Sequence, residues 1–137
     1  MPHRLYPQVA ARARHICEYC RAPEQISPDR FQVEHIRPRA RGGQDQLSNL
    51  ALSCPRCNRQ KLHATHVIDH ESGTLVALYN PRRDVWSEHF DVRITADAMF
   101  IDGLTAVGRV TVARLAMNDA HSCRARILWA AVGLFPP

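Results

Sequence analysis

Along this chain the spacing of hydrophobic positions switches several times between a helical and an extended rhythm. In "PQVAARARHI", Val9, Ala13 and Ile16 recur at helical spacing and predict a short helix leading into "CEYC". "RFQVEHI" reads as a strand and "RPRARGGQDQ" as an arginine-rich turn in which Gly42 and Gly43 allow positive φ. "LSNLALSC" brings the chain back, and "PRCNRQKLHA" opens a helix with Pro55 in its first turn. The expected order is helix, knuckle, strand, loop, strand, knuckle, helix.

Downstream, "ESGTLVALYN" predicts a turn followed by a strand, and "DAMFIDG" a second short strand. "TAVGRVTVARLAMN" starts at the cap-type residue Thr105 and reads as a helix despite Gly108. The last helix, "HSCRARILWAAVG", puts Cys123, Ile127 and Ala130 on one stripe and stops near Gly133. There is no internal repeat, low-complexity run or long linker. The pattern therefore predicts a single α+β domain over 1–137, with a core at about 8–66 and a C-terminal extension at about 67–137 made of a small β-sheet and two helices.

Charge sharpens this picture. The net charge is +5, and residues 1–66 hold eleven Lys and Arg against five Asp and Glu, whereas the remainder holds seven against eight. All but one of the eighteen cations are arginine, whose planar fork suits bidentate phosphate contacts. A polyanionic partner, DNA, is expected of the basic half, with soluble surface charge as the plainer alternative. The amino terminus lacks the apolar run of roughly 7 to 15 residues that a signal peptide needs, and no stretch is apolar enough to span a membrane. A cytoplasmic location without membrane contact is expected.

The cysteines add chemistry. Cys17 with Cys20, and Cys54 with Cys57, form two x-x-spaced pairs separated by thirty-three residues. In a reducing compartment two such knuckles can supply four thiolates to a tetrahedral structural Zn²⁺. A redox role explains only one pair at a time. The gap exceeds the roughly 15 to 20 residues of a minimal zinc ribbon, so something is built between the knuckles. Cys123, unpaired on an apolar stripe, reads as a small buried hydrophobe.

The elements "CEYC", "VEHI-x-P", "GG", "NLAL" and "CPRCNRQK", in this order, resemble the HNH endonuclease family. The resemblance implies a ββα-metal, treble-clef-like core that hydrolyses phosphodiester bonds with one divalent ion, and it spans residues 17–61. "NPRRDVWSEHF" and "GLTAVGRVTVARL" further along are similar to a bacterial subgroup of that family. The function implied is a divalent-metal-dependent DNA endonuclease. A zinc-stabilised nucleic-acid-binding module without catalysis is the alternative.

Chemistry and resemblance together assign candidate roles. Hydrolysis needs a base for the attacking water, a cation on the phosphate oxygens and stabilisation of the leaving 3′ oxygen. His35 is the candidate general base, because imidazole can be neutral at working pH. Glu34, where the family more often has Asp, and Asn58 are the candidate ligands of the catalytic ion, Mg²⁺ or otherwise Mn²⁺, Ni²⁺ or Co²⁺. A salt bridge for Glu34 and a helix cap for Asn58 are their alternative uses. Asn49 resembles the residue that ties the ββ loop and aims the histidine. Arg37, Arg39 and Arg41 are expected to alternate along one exposed edge that grips the DNA backbone, with Lys61 as a further phosphate contact. His66 is expected to face solvent, His63 is left open between metal and solvent, and Trp86, His89 and Phe90 read as packing for the extension.

Overall fold

The computed structural model describes residues 2–137. Helix α1, Tyr6–Arg12, ends before Ile16 because Arg14 and His15 take positive φ (56° and 57°) and reverse the chain. Ile16 then bridges to Pro23 across the first knuckle. Strands β1 (Gln32–His35) and β2 (Leu50–Ser53) pair antiparallel, with Val33 opposite Leu52 and His35 opposite Leu50. All four residues of β2 are buried, since α1 and α2 both pack on this hairpin. Arg12 fastens α1 to the hairpin, donating to the Leu47 carbonyl at 2.8 Å and the Leu50 carbonyl at 2.5 Å.

Helix α2, Pro55–Lys61, starts at a cysteine cap: Cys54 Sγ accepts the Cys57 amide at 3.4 Å. Sulfur here replaces the usual Ser, Thr or Asp oxygen. In the connecting loop Gly42 has φ of 83°, but Gly43 is needed for a different reason from the one expected. A Cβ on Gly43 would lie 1.7 Å from the Arg37 carbonyl oxygen, so the residue serves close approach and not positive φ.

The extension contains two separate two-stranded hairpins where one small sheet was expected. Strand β3 (His66–Ile68) pairs with β4 (Leu75–Ala77), and β5 (Phe90–Ile94) pairs with β6 (Met99–Gly103), with α3 (Trp86–His89) between the hairpins. Strand β3 has three residues, too few for a periodicity to register. Helices α4 (Ala106–Arg114) and α5 (Ala120–Ala131) follow. Thr105 caps α4 through Oγ1, which accepts the Gly108 amide at 3.1 Å. Gly108 is required within the helix, since a Cβ would stand 2.0 Å from the His89 carbonyl oxygen.

One apolar cluster joins both halves, running from Val9, Tyr19, Leu50 and Leu52 to Tyr79, Phe90, Ile101, Leu115 and Met117. The segment "NPRRD" fastens the extension to the first knuckle. Asn80 and Asp84 close its turn on backbone amides at 2.9 Å, and Arg82 pairs with Glu18, whose other carboxylate oxygen accepts the Leu52 amide at 2.8 Å. Trp86 donates to the Tyr19 carbonyl at 2.8 Å and packs on Phe90 with ring centroids 4.9 Å apart. Both rings are therefore packing residues. No helix among the described residues is long and apolar enough to cross a membrane.

Candidate active site

The two knuckles converge. Cys17, Cys20, Cys54 and Cys57 are all buried, with their sulfurs within 4.8 Å of one another. Cys20 Sγ and Cys54 Sγ lie 3.7 Å apart, far beyond a disulfide bond. The edge of a tetrahedron with zinc–sulfur bonds of about 2.3 Å is about 3.8 Å, so the spacing fits Zn²⁺. Hydrogen bonds from Cys17, Cys20 and Cys57 hold the Cys54 thiol far below its usual range, and contact with Cys17 pushes Cys20 and Cys57 well above it. Four thiolates require a cation between them, and this donor set suits zinc. Cys123 is buried apart from the four, 3.6 Å from Arg126, as an apolar-stripe residue should be.

The hairpin that separates the knuckles carries the other candidates. Successive residues of β1 face opposite sides, so Glu34 and His35 diverge. Glu34 differs from the expected metal ligand: it is 4 % exposed and faces inward. Tyr19 Oη donates to its Oε2 at 2.6 Å, and Lys61 Nζ lies 2.6 Å from its Oε1, off the direction of a hydrogen bond. Burial pushes the Glu34 carboxyl up, and Lys61 and Tyr19 offset this only in part. Lys61 differs as well. At 2 % exposure its ammonium is committed to Glu34 and to the Ile36 carbonyl at 3.5 Å, so it is not free to meet a DNA phosphate. Asn58 and Lys61 share the face of α2 turned to β1, where Asn58 Nδ2 donates to Gln32 Oε1.

On the opposite side, His35 Nε2 lies 3.0 Å from Asp45 Oδ1. That oxygen is also 2.6 Å from His3 Nε2, and Arg4 and Arg39 guanidinium groups stand 3.3 Å and 3.5 Å from the same carboxylate. Burial raises the Asp45 carboxyl, but the hydrogen bonds from His3 and His35 and the charges of His3 and Arg39 outweigh it and hold it at about 2. Neither Asp45 nor His3 stood out in the sequence, because no fixed spacing links them to His35. Asn49 lies behind the loop: its Oδ1 accepts the Arg37 amide at 2.9 Å, and its Nδ2 donates to the Arg37 and Gln44 carbonyls at 3.1 Å and 3.0 Å.

Pro38 and the turn at Arg39–Arg41 break the alternation expected of the three arginines. All three are exposed, but Arg39 Nε turns to His35 Nε2 at 3.3 Å, whereas Arg41 turns to Thr65 at 3.1 Å and Arg37 to the Arg41 carbonyl at 2.7 Å. His63 and His66 are exposed and belong to neither cluster of potential metal ligands among the described residues.

The residues present do not form an assembled site for a hard divalent ion. Glu34 is closed by Lys61. His3, His35 and Asp45 have donor atoms within 4.8 Å of one another, but His3 Nδ1 accepts the Leu5 amide at 3.0 Å. In a neutral ring the proton is then on Nε2, where it faces Asp45 and blocks metal ligation. Two guanidinium groups beside Asp45 disfavour a second cation further.

Among the comparisons with known proteins, the family model described as HNH endonuclease matches residues 17–64. No curated protein and no solved structure matches the chain. The matched segment starts at the first zinc-type cysteine and ends just beyond α2, so it contains both knuckles, the hairpin with His35, and Asn58. Residues 17–64 therefore match the HNH endonuclease family model, with both zinc-type knuckles inside the matched segment.

Proposed function

We propose that this chain is a divalent-metal-dependent DNA endonuclease in which His35 is the general base. The observation that carries the reading is the pairing of His35 Nε2 with the ionised Asp45 at 3.0 Å. In the proposed tautomer Nε2 donates its proton to Asp45, Arg39 is held by the Asp45 charge and not by a hydrogen bond to Nε2, and Nδ1 is the basic nitrogen. Among the described residues Nδ1 has no hydrogen-bond partner, and the ring is partly exposed beside the arginine loop. His35 Nδ1 takes a proton from water as the water oxygen bonds to phosphorus, and the bond from phosphorus to the 3′ oxygen breaks, leaving a 5′ phosphate and a 3′ hydroxyl once the departing oxygen is protonated. Asn49 holds the loop on which Asp45 and Arg39 are carried. Arg37, Arg39 and Arg41 neutralise the DNA backbone without reading bases.

The family resemblance implies a divalent ion, Mg²⁺, that would supply Lewis-acid stabilisation of the phosphate; with Glu34 closed by Lys61, water and phosphate oxygens of the DNA would have to complete its shell. Asn58 keeps its amide oxygen available for such an ion, since Nδ2 is the atom that bonds Gln32. The buried Glu34–Lys61 pair favours a second reading, a zinc-braced DNA-binding module without catalysis, because that carboxylate is already neutralised. The two are separated by incubating purified protein with supercoiled plasmid and Mg²⁺, Mn²⁺, Co²⁺ or Ni²⁺. Cleavage that His35→Ala reduces by at least about a hundredfold, with DNA affinity retained, supports the enzyme. DNA binding without cleavage under any of these ions supports the module.

A further inference from the structure

A cleft of about 370 Å³ opens between the arginine loop of the HNH segment and the extension. Its rim carries Arg37 and Arg41 from the loop and His66 and Arg83 from the extension, all exposed. Its floor is largely apolar, with Ile36, Ala77 and Leu78. No carboxylate lines it. Arg37 uses Nε on the Arg41 carbonyl and Arg41 uses one terminal nitrogen on Thr65, so both keep guanidinium N–H groups without partners among the described residues. Arg83 makes no side-chain hydrogen bond or ion pair among them. Lys61 contributes only its stem, its ammonium being held by Glu34.

An apolar floor under a cationic rim fits a group that is flat and apolar at one end and anionic at the other. We propose that this cleft seats one nucleotide of the DNA strand next to the scissile phosphate. Its phosphate lies among Arg37, Arg41 and Arg83, and its base against the apolar floor at Ile36 and Leu78. The proposal rests on the DNA endonuclease reading and adds the extension to the substrate site. The chain order supports the adjacency, because Ile36 and Arg37 directly follow His35. Ile36 follows the last residue of β1 and its amide donates to the Asn49 carbonyl at 2.9 Å, so a strand lying across the end of β1 passes His35 and the cleft in turn. Fixed contacts to the flanking nucleotide position the phosphate at the base.

The test uses the full chain in two formats. For binding, His35→Ala protein is titrated with duplex and single-stranded oligonucleotides over a range of salt. Adding Arg83→Ala should lower the magnitude of the salt slope by about 0.7 to 0.9, one phosphate's worth. For base seating, an abasic site is walked through the positions flanking the mapped cut. One position should lose about fivefold or more in affinity or cleavage. That penalty should shrink in Ala77→Leu, which narrows the cleft from β4. If DNA is bound or cut normally while Arg83→Ala leaves the slope unchanged and the abasic walk is flat, the cleft does not hold a nucleotide and the endonuclease reading stands. A wild type that binds no DNA overturns both.

Discussion

Asp45 Oδ1 sits 3.0 Å from His35 Nε2, ten residues away across the glycine turn, and the same oxygen takes the His3 ring at 2.6 Å. Replacing the carboxylate by its amide in Asp45→Asn keeps the shape but removes the charge that fixes the imidazole. Cleavage should fall, by less than the roughly 10² to 10⁴ that loss of the base itself costs, with DNA affinity little changed. His3→Gln, which acts one bond further out, should cost less again. Single-turnover cleavage of a labelled duplex measures all three variants, and an Asp45→Asn enzyme of wild-type rate would remove Asp45 from the mechanism.

The acid behaviour of Asp45 follows from its low value of about 2 against an ordinary 3.8. A carboxyl depressed by folding stabilises the native state fully above its unfolded value, and that stabilisation is lost as pH falls through the folded value. The difference in melting temperature between wild type and Asp45→Asn should therefore shrink as pH falls from about 5 toward 2. Asp69, held at about 2 by Arg109, should behave in the same way in Asp69→Asn. The comparison is made over the pH range in which the chain keeps its zinc, since loss of zinc in acid unfolds wild type and variants alike.

Lys61→Met tests the buried pair. It leaves the Glu34 carboxylate inside the protein without its cation, which should destabilise the fold by about 3 to 5 kcal/mol. The double variant Glu34→Gln/Lys61→Met should recover most of that loss, read by urea denaturation. Because the ammonium is buried, the salt dependence of DNA binding should not change with Lys61.

Purified protein should contain one zinc per chain. Cys54→Ser removes a zinc thiolate while leaving a side chain able to cap α2, so it should be poorly soluble or unfolded through loss of the metal, and strong chelators should unfold the wild type. Structural zinc contributes on the order of 10 kcal/mol or more to folding. A folded, zinc-free wild type would contradict the four-cysteine site.

Arg37, Arg39 and Arg41 together should account for about three phosphate contacts. Their replacement by Ala should flatten the duplex salt slope by near 0.9 for each. The single variants should differ in kind, since Arg39 faces His35 and Asp45 whereas Arg37 and Arg41 line the cleft. Arg39→Ala should change cleavage more than affinity.

Local chemistry explains why part of this protein was legible in its sequence. A Cys-x-x-Cys pair brings its own thiolates together within one turn of chain, so two pairs announce the four-cysteine cluster whatever lies between them. Thr105 three residues before Gly108, Pro55 at the start of α2 and the adjacency of Glu34 and His35 on one strand are equally local, and all carry their geometry with them. What surrounds each side chain is not local. The face of α2 shared by Asn58 and Lys61 followed from their spacing, but only the packing of α2 on β1 buried Lys61 against Glu34. Asp45 is a lone acid in a glycine turn and His3 lies forty-two residues from it, so no spacing rule links either to His35. Arg12 fastens α1 to the hairpin and Asn49 folds the loop back, and these long-range contacts place both beside the imidazole. Composition and spacing set which groups the chain possesses. Their neighbours, and hence their charge, exposure and use, depend on contacts between elements distant in sequence, which the tertiary structure alone decides.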